Sequence, residues 1–142
     1  MRRTPWTTLA LAVIVAVAAG CEAFDLEPSP LVPGSQWQVV AVDGAGTEGH
    51  ELILTFLAGS VTLSSRCGAS TGPVTMDAQG SAITFDALAG PQGQPACPQA
   101  VLDVHVMVAH ALEGTERWTS DGEAVELLGE RVIRLESQAT DT

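Results

Sequence analysis

From Gly34 to Ala87 apolar residues return at every second position between glycine-bearing turns, a rhythm that suits β-strands joined by tight hairpins and suits no helix. Trp37 and Val39 alternate with Gln36 and Gln38, so a first strand turns its tryptophan inward and fades at Asp43-Gly44-Ala45-Gly46. Leu52, Leu54 and Phe56 share one face of a second strand. Ala58-Gly59 is the turn after it, because glycine takes a positive φ at little steric cost, and it leads into Val61, Leu63, Ser65 and Cys67. A short strand over Val74 to Met76 and a stronger one through Ile83, Phe85 and Ala87 follow, joined by Asp77-Ala78-Gln79-Gly80. Hairpins in sequence order make an antiparallel meander the economical topology.

The rhythm breaks at Gly90-Pro91-Gln92-Gly93-Gln94-Pro95, too rich in glycine and proline to continue a strand. Pro98 then stands where a first helical turn tolerates proline, and Leu102, Val106, Ala109 and Leu112 lie close to one face of a helix over Gln99 to Leu112, ended by Gly114. Valines at 101, 104, 106 and 108 favour extended backbone, so a β alternative competes for this segment. Strands return in Arg117-Trp118-Thr119, an Asp121-Gly122 hairpin, Ala124 to Leu128, a Gly129-Glu130 turn and Arg131 to Glu136.

Ahead of this domain, Arg2 and Arg3 precede an apolar run from Leu9 to Ala19, and small residues Ala19 and Gly20 lead to Cys21. This arrangement resembles a bacterial lipoprotein signal, which implies cleavage before Cys21 and acylation of its thiol; simple secretion after cleavage is the alternative. The run is short of the ~20 apolar residues that a spanning helix needs. The organisation read from the sequence is a signal peptide over 1–20, an acidic, proline-rich tether over 21–33, the folded domain over 34–137 and a flexible tail over 138–142. The expected location is the extracytoplasmic face of a bacterial cell membrane, with the lipid anchor as the membrane contact.

Past residue 20 the chain keeps four arginines, Arg66, Arg117, Arg131 and Arg134, against 17 acids and no lysine, a net charge of −13. Such a surface repels phosphate backbones and argues against nucleic-acid binding. One domain is expected at this length, as a monomer.

From Gly34 to Glu136 the chain resembles the META domain, found in the heat-shock protein HslJ and in small bacterial envelope lipoproteins. The resemblance is carried by Gly34-Ser35-Gln36-Trp37-Gln38-Val39, by Cys67-Gly68 at the family's Gly-Cys-Asn turn, by Ala96-Cys97 at its Met-Ala-Cys segment, and by Trp118, Asp121-Gly122 and Leu127 in the closing hairpin. Arg66 and Gly68 stand where the family has glycine and asparagine. The resemblance implies a mainly β, α+β fold: a curved antiparallel sheet, partly closed into a small barrel, with one packed helix. It implies a part in stress tolerance or envelope maintenance, and no reaction with transferable catalytic residues.

If Cys21 is acylated, Cys67 and Cys97 are the remaining thiols, and in an oxidising compartment a disulfide between them leads over a Cys/His nucleophile or two unpaired buried cysteines. His105 and His110, five residues apart, are turned by about 140° on a helix and cannot share a metal as an i, i+4 pair does. His50, His105 and His110 are therefore read as solvated or capping, with no metal and no cofactor. No phosphate-cradling glycine motif is present. Trp37 and Trp118 fill the core or line a ligand groove. The expectation is a non-enzymatic lipoprotein acting through an envelope protein partner; the alternatives are a small-ligand or lipid-binding barrel and a hydrolase with a scattered site.

Overall fold

A computed structural model of the chain describes residues 29–47, 49–77, 80–93 and 96–138. Strand β1 (Gln36–Val42) buries Trp37 and Val39, and a bulge between Val39 and Ala41 resets the alternation so that Val42 rejoins the core. Where the sequence pattern fades, β2 (Ala45–Gly46) folds back on β1 around Asp43-Gly44, whose φ angles of 51° and 80° are the left-handed pair of a two-residue hairpin turn.

Strands β3 (Ile53–Leu57), β4 (Ser60–Ser65), β5 (Gly68–Met76) and β6 (Ile83–Phe85) form a meander, with Gly59 at φ 77° in the β3–β4 turn. The short strand expected at Val74 is nine residues long, because β5 pairs with the whole of β4 from Ser65↔Gly68 to Ser60↔Pro73. Glycine at 72 permits this course: a Cβ there would meet the Ala87 carbonyl oxygen at 3.0 Å and the Leu88 Cα at 3.2 Å. Strand β6 stops at Phe85, short of Ala87. In the Gly/Pro loop, β7 (Gln92–Gly93) pairs with the start of β5. After helix α1 (Gln99–Glu113), strands β8 (Thr115–Ser120), β9 (Ala124–Gly129) and β10 (Ile133–Ser137) form a second meander.

The strand order is β6-β5-β4-β3-β1-β10-β9-β8, antiparallel at each pairing, so the last strand returns to the first and β1 joins the two meanders. The outer strands then meet: the Trp118 amide donates to the Ser81 carbonyl at 2.9 Å, and Ala82 pairs with Arg117. The result is a nearly closed antiparallel barrel, the curved and partly closed sheet that the family resemblance implies. Closure removes most of the unpaired edge that an open sheet would present.

Inward residues from both meanders merge into one cluster, with Phe56 and Phe85 ring centroids 6.3 Å apart. Leu31, in the segment read as tether, is fully buried in this cluster, so the core begins before Gly34. Helix α1 contacts β4, β6 and β10, which lie well apart on the wall, and so stoppers the barrel. Its buried face is Val101, His105, Val108, Ala111 and Leu112. Of the face expected through Leu102, Val106, Ala109 and Leu112, Leu112 is fully buried but Val106 is exposed; a count of apolar residues alone skips His105, which sits in the i, i+4, i+7 row of the true face. Among the described residues no helix is long and apolar enough to cross a membrane.

Candidate functional site

On β4 the inward row runs Val61, Leu63, Ser65, and on β5 it runs Ser70, Gly72, Val74. At the barrel end these rows finish in two hydroxyls, and α1 lays His105 between them. Nδ1 lies 2.6 Å from Ser65 Oγ and Nε2 lies 2.8 Å from Ser70 Oγ, with His105 and Ser70 fully buried. The solvated or capping role expected of His105 is thus corrected: buried polar groups need partners, and the two serines supply both.

Burial assigns the tautomer. The fully buried Ser70 hydroxyl has Nε2 as its partner and would strand its hydrogen unless it donates there, whereas half-buried Ser65 can turn its own hydrogen outward; with that assignment Nδ1 carries the hydrogen and donates to Ser65 Oγ. Ser65 Oγ also accepts the Cys67 amide hydrogen at 3.1 Å, which occupies both of its lone pairs. Burial pushes the His105 pKa below the ordinary 6.5, because a cationic imidazole would be stripped of water. Ser65 is therefore an acceptor from this histidine and is not activated by it; Ser70, the middle residue of Gly68-Ala69-Ser70-Thr71-Gly72, donates to Nε2 as a Ser–His nucleophile would, but it is fully buried within strand β5 instead of standing exposed on a strand-to-helix turn.

Cys67, in the turn between β4 and β5, is bonded to Cys97, one residue before Pro98 and the helix, with the Cα atoms 5.0 Å apart. The N-terminal half of α1 is thus fastened to the β4–β5 tip twice, covalently at its start and through His105 on its second turn.

Outside this tip lies an open groove of about 610 Å³ lined by Gln38, Glu51, Ile53, Ser64, Ser65, Arg66 and Gln138. Gln38, Ile53 and Ser64 form one row across β1, β3 and β4, since Gln38 pairs with Ile53 and Ile53 with Ser64. All three fall between inward residues, so they face outward. Glu51 reaches the rim from a left-handed backbone, φ 50°, a conformation that costs a non-glycine residue about 1 kcal/mol or more. Next to it, His50 Nδ1 is buried without a hydrogen-bond partner. Ser70, Arg66 and Glu51 went unselected in the sequence. The usable signal was the pair of serines on inward parity in neighbouring strands, which calls for a buried polar partner.

The described fold lies within a match to the META domain model over residues 29–142. The chain belongs to the META domain family. No curated protein matches it. Among solved structures, a DUF4847 family protein from Bacteroides vulgatus shares the fold at a TM-score of 0.56 and 15% identity, over 76% of this chain and 95% of that one. A protein from Burkholderia xenovorans, solved by NMR, is similar at a TM-score of 0.58 and 16% identity, over 77% of this chain and 85% of that one.

In this META domain Trp37 is buried in the core, with its indole N–H donating to Ser35 Oγ at 3.1 Å, and Trp118 packs half-buried against the same core. Neither lines the groove beside Ser65, though Trp37 borders a smaller one with Pro30, Ser35 and Gln138. His110 is exposed on α1 near Glu113, at 3.8 Å, away from His105. Among the described residues no group of three or more His, Cys, Asp or Glu could hold a metal ion. Cys21 and the segment before Ser29 lie outside the described residues.

Proposed function

We propose that this META domain is a membrane-tethered, extracytoplasmic lipoprotein that acts by contact with an envelope protein, without catalysis, in envelope maintenance or stress tolerance. The observation that carries the reading is the Ser65–His105–Ser70 arrangement. The histidine best placed for chemistry is buried and neutral, and Ser70, the serine that donates to it, is fully buried with it. A hydrolase would need that base free to take a proton from a reachable hydroxyl. Against a ligand-binding barrel stands the interior itself, where side chains from both meanders and the helix interlock in one cluster. The lipid anchor rests on Arg2, Arg3, the apolar run and Ala19-Gly20-Cys21.

Two measurements test the reading. Crosslinking on intact cells followed by mass spectrometry is expected to return a recurring envelope protein joined to residues around the groove. Metabolic labelling with a fatty-acid analogue is expected to mark the wild-type chain and not Cys21→Ala. A wild-type chain that returns no recurring crosslink removes the contact reading; equal labelling of Cys21→Ala removes the anchor at that position.

A further inference from the structure

We infer that the outer groove binds the free carboxylate of a short peptide, held by the Ser65 hydroxyl and the Arg66 guanidinium. The inference rests on the contact reading above and names the chemistry of the partner. Ser65 Oγ spends both lone pairs on internal donors, the His105 Nδ1–H and the Cys67 amide, so what it has left is its own hydrogen. Ser65 is half-buried and its open side is the groove, so that hydrogen is a donor with a fixed origin facing a ligand. Arg66 follows it directly and lines the same groove.

Arg131 and Arg134 are paired with Asp43, and with Asp121 and Glu126, whereas Arg66 and Arg117 have no acidic ion-pair partner among the described residues, and of these two Arg66 borders the groove. In a chain with 17 acids, an unpaired guanidinium beside a fixed hydroxyl donor marks a place for an anion. The anion is singly charged. One guanidinium does not balance a dianion, and Glu51 in the same groove would repel it.

The rest of the groove fits a peptide. Gln38 and Gln138 each offer both a donor and an acceptor, as main-chain amides require; Ile53 gives an apolar seat, and Glu51 can receive the ammonium end. The volume, about 610 Å³, lies in the range of small-ligand sites. The main chain of the site is also held before binding. Ser65 is held through His105 to the core, and Arg66 lies between Ser65 and the disulfide-bonded Cys67, so the part of this pair left to order is the exposed Arg66 side chain.

The test is an NMR titration of the isotope-labelled full chain in detergent micelles with trialanine, N-acetyl-trialanine, trialanine amide and inorganic phosphate. Both peptides with a free carboxylate are expected to shift the amides of Ile53 and of Ser64 to Cys67, while the amide and phosphate do not. Arg66→Gln, a change of an exposed side chain, is expected to weaken binding about tenfold through loss of one charge-assisted contact. Glu51→Gln is expected to weaken trialanine and not to weaken N-acetyl-trialanine, which loses a repulsion and no contact. The inference is overturned if the amide or phosphate binds as well as the free acid, if Arg66→Gln binds like wild type, or if no peptide shifts these amides. Absent peptide shifts, in a chain that still crosslinks to its partner in cells, sink the carboxylate site alone and leave the contact reading standing.

Discussion

The β4–β5 tip and the corner where β1 turns into β2 beside β10 are both turns on one barrel, yet they are fastened by opposite means. At the tip a disulfide and a fully buried histidine between two hydroxyls join a helix to the wall. At the corner Asp43 accepts from Arg131 Nε and from the Val132 amide, each at 2.8 Å, on the surface. The Val132 amide and then Arg131 hold the Asp43 carboxyl below its ordinary 3.8. The strands at the corner are already tied by backbone ladders, so its ion pair fixes only a turn. At the tip no ladder can join helix to strand, and side chains carry the whole connection.

The comparison breaks first at the disulfide. Replacing both Cys67 and Cys97 by Ala is expected to cost about 3–4 kcal/mol, the unfolded-state entropy of a loop closed across a separation of 30 residues. Chemical denaturation checks it, and a loss no larger than that of a surface substitution would place the tip on a par with the corner. His105→Leu comes next, at about 2–3 kcal/mol, because it strands the buried Ser70 hydroxyl while nearly conserving volume. Restoring stability with Ser70→Ala in the His105→Leu background would sharpen the assignment, since no fully buried hydroxyl is then stranded and half-buried Ser65 keeps the Cys67 amide as a partner.

Acid is a gentler probe of the same contrast. Unfolding lets His105 take up a proton at its ordinary pKa of 6.5, whereas the folded chain resists protonation until lower pH. Its contribution is therefore fully present above pH 6.5 and is lost as pH falls from there through the lower folded value. Thermal melting across that range, in wild type against His105→Leu, is expected to show a steeper acid loss in wild type. The smallest effect is expected at the corner: Arg131→Gln should move the melting temperature less than any change at the tip, and the difference should vanish in molar salt.

Some of this protein was readable residue by residue. The inward placement of Trp37, Val39, Leu54, Phe56, Val61 and Leu63 followed from period-two alternation, because a strand has only two faces. Asp121-Gly122 and Ala58-Gly59 announced their turns through the backbone freedom they require, and Cys67 with Cys97 stood out as the pair to bond. The length of β5 was not readable, since Gly72-Pro73 breaks a strand by local propensity and is held extended by the full-length β4 ladder. The helix face was misread at His105 for the same kind of reason: a histidine counts as polar until two hydroxyls on other elements meet it.

Local chemistry thus determined which segments extend, where they turn and which way most side chains point, because those preferences act within a few residues. The pairing of β10 with β1, the seam between Ser81 and Trp118, the burial of Leu31 and the groove joining Gln38, Ile53, Ser64 and Arg66 were decided only by the tertiary structure. Each joins residues far apart in the chain, and their energies arise only once closure of the barrel has brought them together.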